Sequence, residues 1–402
     1  MRRHHIAIFT NLGHGHVYPT LGVCTELVRR DYRVTYVTNE YYSEQIRQTG
    51  AEPVIFAPAK WEIPEELKQL RLMSLDDPRQ WPIIASFVFP WFIKDAIETL
   101  PQVEGFYTED TPDVILYDRL AFAGRILAKR LDVPAVQLNF TVPPYKNYIV
   151  RKNGICSTPE PMWEFSRRLD CYMAENGISE QENLFHVETM NICFIPREFQ
   201  HHAEWFDNRF RFVGACLNRP FKRTWTRTGV GKSLILVAGL SDGNDVEFFK
   251  LVVESLAMTP YHVILSLGKH IEPKSLGELP SNFEINKGTY YLEMLPYVSL
   301  TVCHGGVGTI LESIYYGVPV ICIPTGLEQE DNSYRVVELG LGKYLHREGL
   351  TVGLIRDSVA DVLGDNQLLD RVKWMQQVFK SSGGAQTAAD SIDEFLGVVR
   401  PT

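Results

Sequence analysis

The stretch that decides the fold is Val302–Glu330, V-C-H-G-G-V-G-T-I-L-E-S-I-Y-Y-G-V-P-V-I-C-I-P-T-G-L-E-Q-E. It begins at the end of a short apolar strand, passes through a turn with three glycines and enters a helix predicted over Thr309–Tyr316. A Gly-Val-Pro tripeptide ends that helix, and 320–323 predict the next buried strand. Strand, glycine turn, helix and strand in this order indicate a βαβ unit of a parallel sheet.

The glycine turn is also a candidate binding site. A turn that opens a helix presents free backbone N–H groups and the positive end of the helix dipole, which together suit a phosphate. On spacing alone, a tight turn without a ligand is the more frequent interpretation. His304 can donate into the turn, however, and the Glu312 carboxylate can accept two ribose hydroxyls. The stretch therefore suits a sugar nucleotide, and its candidate binding residues are His304, Gly305, Gly306, Gly308, Thr309, Glu312, Glu328 and Gln329.

The first half of the chain repeats the alternation of strands and helices. His5–Thr10 predicts a strand, 11–18 a glycine-containing loop, and Pro19 the first residue of a helix. Two more strands and a helix follow before residue 57, and a later strand ends at Asp118. The β-α-β-α-β order predicts a doubly wound parallel sheet. The aromatic-rich stretch 61–107 shows no regular pattern.

The length of the chain and a polar linker within it predict two domains. A chain of 402 residues exceeds one typical domain. We expect residues 1–214 to form the first domain, 215–231 a polar linker, and 232–384 a second domain in which the alternation restarts. Within it, Glu328 and Gln329 are predicted in a loop that precedes a helix at 332–339. Residues 385–402 predict a final helix.

Bulk composition excludes several classes of protein. Hydrophobic residues make up 45% of the chain and the net charge is −9, which argues against a nucleic-acid partner. No apolar run reaches the roughly 18 residues of a membrane span, and no signal peptide is visible. The seven cysteines form no Cys-x-x-Cys pair, which favours free thiols in a reducing cytoplasm. No Asp-x-Asp motif occurs, so a dedicated metal site is not expected.

The stretch resembles the donor-binding signature of the inverting, GT-B-fold glycosyltransferases of family 1. That pattern is His-x-Gly-x-x-[Ser/Thr]-x-x-Glu, followed by a proline-containing strand and an Asp/Glu-Gln pair, and 304–329 match it. The resemblance covers nearly the whole chain and looks closest to bacterial enzymes of the oleandomycin and calicheamicin type. It implies two facing Rossmann-like domains with the ligand cleft between them, and a last helix that crosses back to the first domain.

The resemblance also implies catalytic residues. Gly15-His16-Val17-Tyr18-Pro19 matches the family's Gly-His-x-x-Pro, which makes His16 the general base, with His14 as the weaker candidate. The family aspartate that orients this base follows a Pro-Asp-x-x-x-x-Asp strand, and Asp118 holds its place. Without the resemblance, His16 would be a solvated or structural loop histidine and Asp118 an ordinary strand-end acid. Ser241 stands in a loop that resembles the family's Leu-Gly-Ser phosphate loop, although a plain turn explains it equally well.

The sequence departs from the family at the nucleotide base. The usual Trp-x-Pro-Gln, whose tryptophan stacks on the base, is replaced by Gly288-Thr289-Tyr290-Tyr291. Thr289 and Tyr290 are therefore the candidates at this position, with Tyr290 or Tyr291 as the aromatic platform. The family's Asp before Gln is Glu328 here. Both a UDP-linked sugar and a dTDP-linked deoxy or amino sugar remain open as donor.

The resulting expectation is transfer of a sugar to a hydroxyl of a small hydrophobic natural product such as a macrolide, enediyne or polyketide. Aromatic stripes are more often core than pocket, yet the acceptor candidates are His14, Phe87, Trp91, Phe140 and Tyr145. No cofactor beyond the nucleotide sugar is expected, and the oligomeric state is left open, with a homodimer as one option. Two alternatives remain: a GT-B sugar-nucleotide epimerase and a non-catalytic auxiliary protein derived from a transferase.

Overall fold

The computed structural model describes residues 3–58, 81–141, 143, 171, 174–175, 186–217, 225–226, 231–239, 245–268, 270–286 and 291–399, with the backbone alone for 81–91 and 327. The chain forms two compact units, one of residues 1–220 with 382–402 and one of 221–381. Each contains a parallel sheet covered by helices. The predicted α/β class with two doubly wound, Rossmann-like sheets is therefore confirmed.

The first unit is built on a seven-stranded sheet in the order β3-β2-β1-β4-β5-β6-β7. Its strands are β1 His5–Phe9, β2 Arg33–Thr38, β3 Glu52–Ile55, β4 Val114–Asp118, β5 Ala135–Asn139, β6 Asn191–Cys193 and β7 Phe210–Phe212. Its helices include α1 His14–Arg29, α2 Glu40–Arg47, α3 Trp81–Glu109 and α4 Phe122–Leu131. The central strands β1 and β4 are wholly buried because helices cover both faces of the sheet, as parallel sheets require.

The second unit has a six-stranded parallel sheet in the order β10-β9-β8-β11-β12-β13. Its strands are β8 Leu234–Ala238, β9 His262–Ser266, β10 Phe283–Asn286, β11 Val298–Cys303, β12 Val320–Cys322 and β13 Gly342–Tyr344. Its helices are α5 Val246–Leu256, α6 Val307–Tyr315, α7 Leu327–Glu338, α8 Val352–Gly364 and α9 Asn366–Ser381. In the described part of the chain, every helix is too short or too polar to cross a bilayer.

The last helix, α10 Ala385–Val399, belongs to the first unit. Its alanines and Ile392 are buried in the same core as the inner face of α1. Polar contacts fix its orientation: Asp393 accepts from the Tyr32 hydroxyl at 2.6 Å, and Asp390 pairs with Arg30 at 2.7 Å. Helix α10 thus completes the core of the first unit beside α1.

Three helices differ from the sequence-based predictions, and the third, α7, is described with the active site. Helix α1 begins at His14 rather than Pro19, because the carbonyl of Gly13 accepts from the N–H groups of His16 and Val17, both at 3.0 Å. Pro19 lies inside the helix and gives up one hydrogen bond there.

The second correction concerns the aromatic-rich stretch 61–107, predicted as irregular. Its later part belongs to α3, while residues 59–80 lie outside the described part of the chain. The prolines in α3 obscured an apolar stripe with helical spacing, whose members Phe92, Ala96, Leu100, Val103 and Tyr107 are buried in the core.

Candidate active site

Both sheets have a topological switch point, where the strand order reverses. In the first unit it lies between β1 and β4, and in the second between β8 and β11. In open α/β sheets, ligands bind beyond the carboxyl ends of the strands at such points. At the first switch point His16 follows β1 and Asp118 is the last residue of β4; at the second, His304 follows β11.

The structure brings His16 and Asp118 together. His16 lies in the first turn of α1, and Asp118 is the last residue of β4. His16 Nδ1 is 2.6 Å from Asp118 Oδ2, with side-chain exposures of 22% and 3%. The carboxylate also accepts from the backbone N–H of Asn11 at 3.0 Å and from that of Leu120 at 3.0 Å. The acid is buried and fully engaged, while the imidazole remains accessible.

These contacts determine the protonation of the pair. Burial alone would raise the pKa of Asp118, but the adjacent His16 and the N–H groups of Leu120 and Asn11 bring that pKa below its usual value. Asp118 is therefore a carboxylate at neutral pH. Because it can only accept, His16 Nδ1 carries the donated proton and Nε2 carries the lone pair. The arrangement can take a proton and stabilise the imidazolium that forms.

Two acceptor candidates, Phe140 and His14, are described in the first unit, and Phe140 contacts this pair. Phe140 places its ring edge-to-face with that of His16, with centroids 5.3 Å apart, and stacks on Phe194. It is buried, so it belongs to the apolar wall behind the imidazole. His14 packs among tyrosines, with its Nδ1 3.1 Å from the Tyr42 hydroxyl and its ring 5.1 Å from that of Tyr18.

In the second unit, the glycine turn has the geometry of an anion site. Gly305 has a φ of +80°, and a side chain there would lie 2.6 Å from Ser333 Oγ, so only glycine fits. Gly306 is the N-cap residue of α6, and it makes no side-chain hydrogen bond to the first backbone N–H groups of that helix. A Cβ at Gly306 would lie 2.6 Å from His304 Nε2, which shows that the imidazole packs directly on the turn.

The remaining donor candidates surround this turn. Thr309 lies in the first turn of α6, its hydroxyl 3.0 Å from that of Tyr291, and the half-buried Glu312 follows on the next turn. Glu328 and Gln329 lie in the first turn of α7, not in a loop as predicted. The helix starts early because Gln329 Oε1 accepts from the Thr325 N–H at 2.9 Å.

His304 has a different environment from His16. Its Nδ1 is buried and has no hydrogen-bond partner. Burial lowers the pKa of His304 to about 4, and the Ala238 carbonyl opposes this only in part. The imidazole is therefore neutral near pH 7. It borders a cavity of about 20 Å³, room for about one water molecule, which is also lined by Thr325 and by the ion-paired Asp245 and Arg347.

Some predicted residues lie outside the described part of the chain. They are Ser241, Thr289, Tyr290 and Tyr145, together with the side chains of Phe87 and Trp91. Among the described residues, no group of three or more His, Cys, Asp or Glu side chains could hold a metal ion.

Sequence reasoning missed two residues that support the donor turn. Asn332 donates to Glu328 Oε1 at 2.6 Å and to the Gly305 carbonyl at 3.1 Å, so it links α7 to the turn. Its spacing of four from Glu328 on a helix was the available signal. Tyr291, which reaches Thr309, was considered only as a stacking platform.

Comparison with known proteins agrees with this geometry. The family described as "Erythromycin biosynthesis protein CIII-like, C-terminal domain" matches residues 250–387. NDP-glycosyltransferase YjiC of Bacillus licheniformis is 36% identical, with 98% of each chain covered. Oleandomycin glycosyltransferase of Streptomyces antibioticus is 31% identical over 98% of this chain and 91% of its own.

A solved structure supports the same assignment across both units. The calicheamicin glycosyltransferase CalG4 covers 100% of both chains with a TM-score of 0.81 and 30% identity. These relatives bear transferase names, so neither the epimerase nor the auxiliary alternative gains support from them. Since this chain shares over 30% of its sequence with glycosyltransferases along nearly its full length, it belongs to the GT-B glycosyltransferases of family 1 and is a glycosyltransferase.

Proposed function

We propose that this glycosyltransferase transfers a sugar from a UDP- or dTDP-linked donor to a hydroxyl of a small hydrophobic acceptor, with inversion at the anomeric carbon. The observation that carries the proposal is the His16–Asp118 pair, joined at 2.6 Å at the switch point of the first sheet. An accessible imidazole backed by a buried carboxylate is the arrangement that removes a proton from an attacking oxygen.

In the proposed reaction, His16 Nε2 takes the proton from the acceptor hydroxyl. The oxygen forms its bond to the anomeric carbon as the bond from that carbon to the diphosphate oxygen breaks, and the diphosphate leaves with the electron pair. Asp118 stabilises the imidazolium. The N–H groups of the turn at Gly306 and the first turn of α6, with the Thr309 hydroxyl, stabilise the leaving diphosphate. The neutral imidazole of His304 contributes a hydrogen-bond donor and no positive charge.

The substrate classes follow from the relatives. Oleandomycin glycosyltransferase and the calicheamicin enzyme CalG4 are named for a macrolide and an enediyne antibiotic. We infer a similar acceptor for this chain, a macrolide, enediyne or polyketide made in antibiotic biosynthesis. Phe140 behind His16 supports an apolar acceptor. Glu312 and Glu328 are proposed to hold ribose and hexose hydroxyls.

Two further inferences complete the proposal. The N–H donors at α6 act in place of a dedicated divalent cation. A cytoplasmic location is supported by the described cysteines, which are all free thiols.

The decisive experiment replaces His16 with Ala. Loss of a positioned general base lowers kcat by about 10²–10⁴-fold. We expect this fall in kcat when sugar transfer from a panel of dTDP- and UDP-linked sugars is measured by mass spectrometry. Calorimetry should show that the variant binds UDP and dTDP as tightly as the wild type does. His4→Gln serves as the matched comparison and keeps most of the turnover, since His4 precedes β1 and lies at the end of that strand opposite to His16. Undiminished turnover by the His16 variant would contradict the mechanism.

A further inference from the structure

Glu328, the carboxylate proposed to hold the hexose, lies exposed in the first turn of α7. A glutamate has one more rotatable bond than the aspartate that usually precedes Gln in the family pattern. Fixing a side chain costs more conformational entropy when more of its bonds rotate, so a free Glu328 would hold its carboxylate loosely. A sugar that is aligned for transfer needs this carboxylate at one place. Glu328 therefore requires a neighbour that fixes it.

Asn332 is that neighbour. It is 2% exposed and lies one turn after Glu328 on α7. Its Nδ2 donates to Glu328 Oε1 at 2.6 Å and to the Gly305 carbonyl at 3.1 Å. An ionised carboxylate and a carbonyl can only accept, so both hydrogens of the amide nitrogen are used and the orientation of the amide is determined. One buried side chain thus joins the proposed sugar-binding carboxylate to the glycine turn.

Close packing holds α7 and the glycine turn at a set separation. A Cβ at Gly305 would lie 2.7 Å from the Gln329 carbonyl oxygen and 2.6 Å from Ser333 Oγ. The Ser333 hydroxyl in turn donates to that carbonyl at 2.6 Å. Protein interiors packed this closely transmit a displacement instead of absorbing it. The helix that carries Glu328 and Asn332 is therefore fixed against the turn.

We propose that Asn332 is a positioning residue, which holds the Glu328 carboxylate at a set distance from the glycine turn and so determines how much the sugar adds to nucleotide binding. The inference rests on the proposed function, because it assigns the partner of a residue proposed to bind the hexose. Covalent bonds join the sugar to the diphosphate, so a carboxylate at a set distance from the turn meets the same sugar hydroxyls each time. Hydrogen bonds to a charged group gain most from such fixed geometry.

The test measures the contribution of the sugar to binding. Calorimetry without an acceptor gives the Kd of UDP and of UDP-glucose, and likewise of dTDP and of dTDP-glucose. The ratio of the Kd of the nucleotide to that of its sugar nucleotide reports on the sugar when a variant is compared with the wild type. We expect Asn332→Ala to lower this ratio by about tenfold, near the lower end for a hydrogen bond to a charged group. A residue that only supported the turn would weaken both ligands equally and leave the ratio unchanged.

A double-mutant cycle connects the effect to Glu328. Glu328→Ala should lower the ratio at least as far as Asn332→Ala does, because it removes the group that Asn332 positions. The double variant should give the ratio of Glu328→Ala alone, since two residues that act through one contact are not additive. An additive double variant would show that Asn332 does not act through Glu328, and would overturn the inference.

Asn282→Ala is the matched control in the same unit. Asn282 is also buried, and its Nδ2 donates to two carbonyls, that of Leu256 at 3.0 Å and that of Tyr261 at 3.2 Å. It precedes β10, so it lies at the amino edge of the sheet, away from the glycine turn. The control should lower the melting temperature as Asn332→Ala does, but it should keep the wild-type ratio.

The remaining outcomes separate this inference from the proposed function. A wild-type ratio in Asn332→Ala beside a lowered ratio in Glu328→Ala overturns the inference and leaves the proposed function intact. A ratio that Glu328→Ala leaves unchanged in both nucleotide pairs overturns the inference and removes Glu328 from the sugar site, while transfer that depends on His16 keeps the proposed reaction. Lowered, non-additive ratios without transfer to any hydrophobic acceptor support the inference and count against the proposed function.

A second variant covers the case in which Asn332→Ala does not fold. Asn332→Asp keeps the shape of the side chain but replaces the amide donor with an acceptor, so it repels the Glu328 carboxylate and the Gly305 carbonyl. It should lower the ratio at least as far as the tenfold expected for alanine. A wild-type ratio in this variant would overturn the inference.

Discussion

The two units place a histidine at the same topological position and give it opposite properties. His16 and His304 both lie at the carboxyl edge of a parallel sheet, at the point where the strand order reverses. His16 has a carboxylate 2.6 Å from its Nδ1. The Nδ1 of His304 is buried without a partner. One scaffold therefore supports two kinds of chemistry, and the neighbours of the ring decide which.

The difference is electrostatic. Asp118, held as a carboxylate by His16 and by two backbone N–H groups, stabilises a positive imidazolium. At His304, burial lowers the pKa to about 4, so the ring stays neutral beside the open end of α6. A neutral ring can donate one hydrogen bond to a phosphate without taking a proton from solution. The first histidine suits proton transfer, and the second suits binding.

The largest effect is expected when the negative charge beside His16 is removed, because that charge distinguishes the first histidine from the second. Asp118→Asn keeps the shape but can donate to Nδ1, which favours the tautomer with its proton on Nε2. We expect kcat to fall by about 10²–10⁴-fold, the range for general-base catalysis, with little change in nucleotide affinity. Steady-state kinetics and calorimetry measure the two. Turnover close to that of the wild type would show that the carboxylate does not support the base.

Sequence patterns predicted the fold because they are local. The glycine turn at 304–308, the helix stop at Gly317 and the apolar strands around them fixed the βαβ unit, and the family motif extended this to both units. His16 and Asp118 were chosen from motifs about a hundred residues apart, and the sheet brings them to 2.6 Å. Their roles stay a prediction.

The side chains that strands place opposite one another could not be predicted from the sequence. That Asn139, at the end of β5, is buried without a hydrogen-bond partner in the described part of the chain depends on the register of β4 with β5. The link from Asn332 to Gly305 likewise depends on how α7 packs on the turn. The start of α1 was misplaced because proline favours a helix start, whereas here it lies inside a helix buried on the sheet.

A second substitution tests whether His304 contributes to nucleotide binding. Gly306→Ala would place a Cβ 2.6 Å from His304 Nε2 and displace the ring from the turn. We expect UDP or dTDP to bind about tenfold more weakly, equivalent to about 1.4 kcal/mol, as measured by calorimetry. A Cβ at Gly308 meets no atom within 4 Å, so Gly308→Ala controls for stability and should melt at or above the wild type. Unchanged affinity in the Gly306 variant would separate His304 from donor binding.

The smallest expected effect is a pH dependence of stability that belongs to His304. Its pKa is about 4 in the folded chain, against 6.5 for an unperturbed histidine. Between these values the unfolded chain binds a proton that the folded chain does not, so this residue makes the free energy of unfolding decrease as the pH falls from about 6.5 to about 4. His304→Gln removes that contribution, and urea unfolding at several pH values should give a flatter slope for the variant than for the wild type. The difference between the two proteins cancels the other titrating groups, including His5, whose pKa burial also lowers. Identical slopes would mean that the ring is protonated as easily in the folded chain as in the unfolded one, and the contrast between the two histidines would then rest on Asp118 alone.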